Sequence, residues 1–207
     1  MRRRGVLAFL GAAAFAVAAA GTSPPEPTGY RTEDYQAPTP LTLSGARVLS
    51  TDEAYKLWQD HAAAFVDVLP QVPRPAGLPA GTIWRPKPRD DIPGSTWLAD
   101  AGYGELAPVM LRYFEQGLQQ ATGGDQNRTL VVYCRDMCWH SWNAAKRAVA
   151  LGYPHVAWYR EGTEGWAQAG HPLERAQPLL RPDVTLSPEM PSPETPSLET
   201  PSSKPTG

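Results

Sequence analysis

Short apolar runs alternate along the chain with longer stretches in which apolar residues recur every three or four positions. Five runs are apolar, β-branched or aromatic over a few positions, and such runs predict strands, the central ones buried on both faces. They are Ala46–Leu49, Phe65–Leu69, Ile92–Leu98, Leu130–Tyr133 and Val156–Tyr159. An alternation of strand and helix is typical of a parallel sheet, so we expect an α/β fold.

The helical stretches between these runs have predictable ends. Ser50 or Thr51 can cap a first helix, and a second is predicted over Glu105–Ala121. A third is predicted to begin at Ser141, as its cap, and to stop near Gly152. A final short helix is predicted among the glycines that follow the last strand.

Proline-rich and polar segments set the expected domain limits. Residues 21–45 are polar and contain prolines, which predicts a linker or a strap laid over the domain. The folded domain is expected over residues 46–176, with Pro70–Pro93 as a long ordered excursion along the sheet edge. Residues 177–207 are rich in Pro, Ser, Thr and Glu, and we predict that this tail is disordered because it has too little apolar content to bury.

The first 20 residues have the pattern of a secretory signal peptide. Three arginines follow Met1, an apolar run covers Gly5–Ala19, and Ala18-Ala19-Ala20 fits an A-x-A cleavage site. The run is short and rich in alanine, which disfavours a retained membrane anchor. We therefore expect a cleaved, exported protein in a bacterial periplasm, with no membrane contact after cleavage, where a pair of thiols can oxidise.

The charge pattern excludes nucleic acid as a partner. The formal net charge is −2, and charges of both signs are scattered along the sequence. A stripe of Lys and Arg with interleaved aromatic residues, which nucleic-acid binding requires, is absent. Most of the seven tryptophans are expected in the core, although Trp97, Trp139 and Trp142 lie in or near the candidate site.

The only two cysteines follow the fourth predicted strand. Cys134 lies at the carboxyl end of that strand, where open parallel sheets bind their ligands, and Cys138 follows four residues later. Loop amides and the positive end of the next helix dipole would hold an anion here and lower the pKa of Cys134. The residues expected in this anion-binding loop are Arg135, Asp136, Met137, Trp139, His140 and Ser141.

The order of motifs resembles a rhodanese domain. The residues that carry the resemblance are Asp67 at a strand end, Ile92-Pro93-Gly94-Ser95, Cys134, Ala144-Ala145, Gly152-Tyr153, Gly162 and Trp166 to Pro172. The resemblance implies a five-stranded parallel sheet of order 1-5-4-2-3 with helices on both faces. It does not by itself determine the reaction, because one fold hosts many chemistries.

Within that superfamily, the chain is similar to exported CXXCW-motif proteins associated with alcohol catabolism that depends on pyrroloquinoline quinone (PQQ). Cys134, Cys138 and Trp139 carry this likeness, with three residues rather than two between the cysteines. The likeness implies that the protein functions together with a PQQ-dependent alcohol dehydrogenase system in the periplasm. The link to PQQ rests on the resemblance, and no residue indicates a PQQ-binding site.

The cysteine loop departs from the usual sulfurtransferase loop at the positions that bind anions. That loop has Gly three residues and Arg five residues after its cysteine, where this chain has Met137 and Trp139. The related phosphatases need Arg six residues after the cysteine to hold phosphate, and His140 occupies that position. Phosphatase activity is therefore disfavoured.

Two kinds of thiol chemistry fit the cysteine pair. As a sulfurtransferase, the protein would use Cys134 as the nucleophile that takes up sulfane sulfur, and Cys138 as the resolving thiol that releases sulfide and forms a disulfide. Arg135 would help to ionise Cys134. As a thiol-disulfide oxidoreductase, the same pair would reduce or oxidise a partner in its compartment. The partner is accordingly a sulfur donor and acceptor, or a periplasmic redox protein.

A third hypothesis is that Cys134 and Cys138 bind Cu(I), or a redox cofactor or partner, without turnover. Cys134, Cys138 and His140 offer the soft ligands that Cu(I) prefers. Haem attachment is disfavoured because Trp139 separates Cys138 from His140, so the C-x-x-C-H pattern is absent.

Overall fold

A computed structural model describes residues 23–181 of the 207-residue chain. The predicted signal peptide and residues 182–207 of the predicted tail lie outside this range. The elements are β1 (Arg47–Leu49), α1 (Thr51–Gln59), β2 (Ala63–Asp67), β3 (Asp90–Asp91), β4 (Thr96–Trp97), α2 (Pro108–Thr122), β5 (Thr129–Tyr133), α3 (Trp139–Ala150), β6 (Val156–Tyr159), α4 (Gly162–Gln168) and β7 (Glu174–Arg175).

Five strands form one parallel sheet in the order β1-β6-β5-β2-β4. Counted within this sheet alone, the strands run 1-5-4-2-3. The short strands β3 and β7 pair antiparallel beside it. The α/β class and the parallel sheet are therefore confirmed. Because all five strands run in one direction, Asp67, Trp97 and Tyr133 end in register at the same edge.

Helices cover both faces of the sheet. On one face α2 and α3 pack on alternate residues of β5, Leu130 and Val132, and on the other α1 and α4 face Val131 and Tyr133. This alternation follows from the period of two in a strand. Cys134 continues the series of Leu130 and Val132, which places it on the α3 side.

The first helix begins as its sequence predicts, and the third does not. Ser50 caps α1 and forms a reciprocal capping box with Glu53. The prediction that Ser141 caps the third helix is wrong, because α3 begins at Trp139 with Cys138 as its N-cap. The Ser141 hydroxyl lies inside the helix, where it donates to the carbonyl of Cys138 and accepts from Trp158 Nε1.

No side chain caps α3, and backbone groups of a strap formed by residues 23–45 bond to residues at its start instead. The Tyr35 carbonyl accepts the amide of Trp139 at 2.9 Å, and the Ala37 amide donates to the carbonyl of Met137 at 3.2 Å. Further along α3, buried Asn143 accepts the amide of Arg31 at 2.9 Å and donates to its carbonyl at 2.8 Å. The strap is therefore bonded to the cysteine loop and to the helix that follows it.

The chain after the last helix also packs on the sheet. The Leu179 amide donates to the carbonyl of Trp97 at 2.8 Å, and Tyr113 donates to the carbonyl of Leu179. Residues 177–181, which the sequence pattern assigns to the tail, thus contact the domain. Among residues 23–181, no helix has the length and apolar character needed to span a bilayer.

Candidate active site

Cys134 and Cys138 form a disulfide where the chain leaves β5. Their Cα atoms are 6.5 Å apart, a separation that a disulfide spans readily. Met137 turns the loop back with a φ of 49°, in the left-handed region that favours glycine. It occupies the position at which the usual sulfurtransferase loop has Gly, so a bulkier residue takes up the left-handed conformation here.

The loop amides expected to hold an anion are occupied by oxygens of the protein in this disulfide form. The Asp136 amide donates to the Glu164 carboxylate at 3.1 Å, and the Met137 amide donates to the Asp136 side chain at 2.8 Å. The Trp139 amide is bonded to the Tyr35 carbonyl of the strap. An anion bound by these groups would have to displace carboxylate or carbonyl partners.

A buried ion pair is hydrogen-bonded to the start of the cysteine loop. Asp67, at the end of β2, is fully buried, and Arg89 Nε donates to its carboxylate at 2.7 Å. The same guanidinium donates to the carbonyl of Cys134 at 3.0 Å and to the Thr163 hydroxyl at 3.2 Å. Burial raises the pKa of Asp67, an effect that the Arg89 charge opposes. Arg89 thus joins a buried carboxylate, the cysteine loop and α4.

A cleft of about 690 Å³ opens above the disulfide. Three cationic side chains, those of Lys87, Arg89 and Arg135, line it together with the carboxylates of Asp90 and Glu164. The apolar part of the wall includes Leu69, Pro70, Val72, Trp97, Ala167 and Leu173. Cys138 also lines the cleft, whereas Cys134 does not. The cleft can therefore receive an anionic or partly apolar reactant next to the disulfide.

His140 lies beside the cleft-lining sulfur. Its Nδ1 is 3.6 Å from Cys138 Sγ, and its ring stacks on Tyr35 with the ring centres 4.3 Å apart. Burial, and to a smaller extent the charge of Arg135, lower the pKa of His140 to about 4. The imidazole beside the sulfur is consequently neutral at the pH of most compartments.

The sequence-predicted site residues are brought together only in part. Arg135, Cys138 and His140 line the cleft, and Cys134, Trp139 and Ser141 are buried. Met137 is exposed. The trio of Cys134, Cys138 and His140 predicted to bind copper is not arranged as a metal site in this disulfide form, since the part of the chain that the structure describes holds no group of three or more His, Cys, Asp or Glu arranged for a metal. Both sulfurs are bonded to each other, and the contact made by His140 is to Cys138.

Neither Arg89 nor Glu164 was identified from the sequence as a residue of the site. A buried strand-ending carboxylate such as Asp67 needs a cationic partner, and that need was the available signal. It did not indicate which cation of the proline-rich segment would supply it, because the segment has no periodicity.

One protein-family model and two solved structures match parts of this chain. Residues 50–169 match the model of the rhodanese-like domain. Thiosulfate sulfurtransferase from Pseudomonas aeruginosa is similar in structure, with 21% identity and a TM-score of 0.43 over 64% of this chain and 21% of that one. The polysulfide-sulfur transferase homodimer from Wolinella succinogenes has 20% identity and a TM-score of 0.41 over 63% of this chain and 80% of its own.

The chain spans about a fifth of the length of the Pseudomonas protein. No curated protein matches it in sequence. The family match nevertheless covers more than half of the 207 residues, from the cap of α1 to the end of α4, and includes both cysteines. The chain therefore belongs to the rhodanese-like domain family.

Proposed function

We propose that the protein handles sulfane sulfur with its cysteine pair, which cycles between dithiol and disulfide. The observation that carries this proposal is the bonded pair of Cys134 and Cys138 beside a cleft lined by three cationic and two acidic side chains, at the carboxyl edge of a rhodanese-like sheet. That edge is where parallel α/β sheets place their ligands. The sulfurtransferases to which the fold is similar suggest the class of substrate.

The reaction begins with both cysteines reduced. The Cys134 thiolate attacks the sulfane sulfur of an anionic donor, and the bond between that sulfur and the rest of the donor breaks. The rest of the donor leaves as an anion, and Cys134 carries a persulfide. The Cys138 thiolate then attacks the Cys134 sulfur, and the outer sulfur departs as sulfide. The sulfane sulfur gains two electrons and the two cysteines lose them as their disulfide forms.

Access to Cys134 requires a movement of Cys138. In the disulfide form Cys134 has no exposed surface, and Cys138, to which it is bonded, lines the cleft. Reduction frees the Cys138 side chain to rotate, which opens a path for the donor. Lys87, Arg89 and Arg135 would attract an anionic donor to that path.

A second candidate function is thiol-disulfide exchange with a redox partner and no sulfur transfer. One observation favours it: the chain's two cysteines are already joined, and one of them lines a cleft large enough for part of a partner molecule. The two candidates differ in their product, because only sulfur transfer releases sulfide.

Export and the PQQ association are also part of the proposal. The signal-peptide pattern of residues 1–20 supports a periplasmic location, and an oxidised cysteine pair fits such a compartment. The motif of Cys134, Cys138 and Trp139 supports a role beside PQQ-dependent alcohol oxidation. Cell fractionation with N-terminal sequencing tests the first part, and a mature protein that begins at Gly21 in the periplasmic fraction is expected.

The chemistry is tested by following sulfur on the reduced protein. Thiosulfate is added to the wild-type chain and to Cys138→Ser, and the intact masses and released sulfide are measured. We expect a gain of about 32 Da on Cys134 in Cys138→Ser, and about one sulfide per chain with disulfide formation in the wild type. Cys134→Ser should give neither product.

Two outcomes separate the candidates, and a third tests the choice of nucleophile. A persulfide and sulfide support sulfur transfer. A disulfide formed only with an oxidant, without sulfide from any sulfane-sulfur donor, supports thiol exchange alone. Full activity in Cys134→Ser would show that Cys134 is not the nucleophile.

A further inference from the structure

The two sulfurs of the disulfide differ in their access to the cleft. Both cysteines pack in the core beneath α3, but Cys138 lines the cleft and keeps 2% of its surface exposed, whereas Cys134 does not line the cleft and has no exposed surface. A nucleophile that enters the cleft therefore meets the Cys138 sulfur first. Attack at that sulfur would make Cys134 the departing thiolate.

Cys138 also has a hydrogen-bonding side chain beside it. His140 Nδ1 is 3.6 Å from Cys138 Sγ, whereas the Cys134 sulfur lies 3.8 Å from the carbonyl oxygen of Arg135. The imidazole is held in place by Tyr35, which stacks on it, and by Tyr103, which meets it edge-on with the ring centres 4.8 Å apart. Its position relative to the sulfur is thus fixed by packing.

The environment of the imidazole places its proton on the nitrogen that faces sulfur. His140 Nε2 is buried and has no hydrogen-bond partner among residues 23–181. A buried N–H without an acceptor is rarer and more costly in proteins than an unpaired acceptor, so the proton is better placed on Nδ1. Burial and the Arg135 charge lower the pKa of His140 to about 4, which keeps the ring neutral. His140 can therefore donate one hydrogen bond, and it points to Cys138.

Two further features favour a thiolate at Cys138. Cys138 is the N-cap residue of the 12-residue helix α3, and the positive end of a helix dipole stabilises a thiolate. The cations Lys87, Arg89 and Arg135 lie along the same cleft, where they outnumber the carboxylates of Asp90 and Glu164, and they would attract an incoming thiolate. The dipole, the imidazole and the cations all favour negative charge next to this sulfur.

We propose that the pair is reduced again by an external dithiol that attacks Cys138, and that His140 hydrogen-bonds the Cys138 sulfur when it later departs. The proposal rests on the cycle described above, in which a disulfide must be reopened. It adds the class of reductant, the sulfur that receives it and the residue that assists.

The steps balance as a two-electron exchange. One thiolate of the dithiol bonds to Cys138 Sγ, the bond between Cys134 and Cys138 breaks, and Cys134 leaves as a thiolate. The second thiolate of the reductant then attacks the reductant sulfur that is bonded to Cys138. Cys138 leaves as a thiolate, which accepts a hydrogen bond from His140 Nδ1–H. The dithiol becomes a disulfide, and the two protons that it loses to water are taken up by the two cysteines.

The site of attack is tested on the oxidised wild-type chain with glutathione. A limiting amount is added, the reaction is quenched with acid, and the protein is digested with trypsin without reduction. Cleavage after Arg135 separates the two cysteines, so the peptide that carries glutathione identifies the attacked sulfur. We expect at least about ten times more glutathione on Cys138 than on Cys134 in the first seconds. Equal labelling, or labelling mainly of Cys134, would overturn the proposal.

The role of His140 is tested with two variants and dithiothreitol. His140→Asn keeps an amide donor near the position of Nδ1, and His140→Leu removes it. The mixed disulfide on Cys138 should persist about tenfold longer in His140→Leu than in the wild type and should decay at nearly the wild-type rate in His140→Asn. Equal slowing in both variants, or none in either, shows that the hydrogen bond has no such role. Neither experiment uses sulfane sulfur, so failure here is distinct from failure of the sulfur-transfer reaction.

Discussion

Arg89 shows at the residue scale how the cysteine loop is held. Its guanidinium bridges the buried carboxylate of Asp67, the carbonyl of Cys134 and the hydroxyl of Thr163. A charge as deeply buried as that of Asp67 is tolerated in an interior only when it is paired and hydrogen-bonded. Arg89 thus has both a stabilising role and a position on the wall of the cleft.

Replacing Arg89 with Gln should destabilise the protein strongly. The variant leaves the Asp67 carboxylate buried without a counter-charge, and loss of one partner from such a pair costs about 3–5 kcal/mol. Arg85→Gln is the matched control, because Arg85 is on the same segment, is exposed and does not line the cleft. Urea unfolding at neutral pH measures both, and the control is expected within about 0.5 kcal/mol of the wild type. Equal unfolding free energies for Arg89→Gln and the wild type would contradict this account.

Asp91 should make the stability depend on pH. Burial, together with the charge of Asp67, raises the pKa of Asp91 from 3.8 to about 7. A carboxyl whose pKa is higher in the folded state binds more protons there than in the unfolded chain, so stability falls as the pH rises between these values. Unfolding free energies at pH 5 and pH 8 should therefore differ less in Asp91→Asn than in the wild type. Identical differences in the two proteins would show that Asp91 does not titrate in this range.

At the scale of elements, the strap organises the start of α3. It supplies the carbonyl that caps the Trp139 amide, and its Gln36 side chain donates to the carbonyl of Asp136 at 3.0 Å. Gln36 also forms an isolated antiparallel bridge with Cys138. Residues that precede the sheet therefore determine where a helix begins about a hundred positions later.

Asn143→Ala should release the strap. The side chain is fully buried and makes hydrogen bonds to both backbone groups of Arg31 and to the carbonyl of Gly102. Their loss leaves buried backbone groups unpaired, at a cost of about 2 kcal/mol. Limited trypsin digestion should cut after Arg31 faster than in the wild type, and urea unfolding should show the lost stability. Asn127→Ala, at an exposed turn, is the matched control, and equal cleavage rates in the two variants would contradict a fastening role for Asn143.

At the scale of the molecule, the scaffold does not depend on the disulfide. Two apolar cores, one on each face of the sheet, contain fully buried tryptophans such as Trp142, Trp158 and Trp166. The disulfide closes a loop with a sequence separation of only four residues. Such a small loop restricts the unfolded chain little, so most of the stability comes from the cores.

Reduction should accordingly leave the protein folded. We expect a loss of about 2 kcal/mol, the chain-entropy value for a loop this short, with the circular dichroism spectrum of the fold retained. Thermal or urea unfolding with and without a phosphine reductant measures this loss. The double variant Cys134→Ala/Cys138→Ala, which cannot form the bond, should not respond to the reductant. Global unfolding of the reduced wild type would contradict the prediction and the dithiol state that the proposed cycle needs.

Features that depend on neighbouring residues were determined by the sequence itself. The alternation of apolar runs with helical spacing predicted the parallel sheet, and the capping residue expected at Ser50 or Thr51 predicted the start of α1, which Ser50 caps. The place of Cys134 at the end of a central strand followed from the same pattern. These features are local, because strand period, helix period and capping involve residues only a few positions apart.

Only the tertiary structure decided what depends on distant residues. Helix α3 begins at Trp139, whose amide bonds to the strap carbonyl of Tyr35, and not at Ser141 as the local pattern predicted. The cation that pairs with Asp67 is Arg89, which comes from the proline-rich segment. The difference between a buried Cys134 and a cleft-lining Cys138 also arises there. Each of these outcomes depends on packing between segments that are far apart in the chain, and no local spacing encodes which distant group arrives.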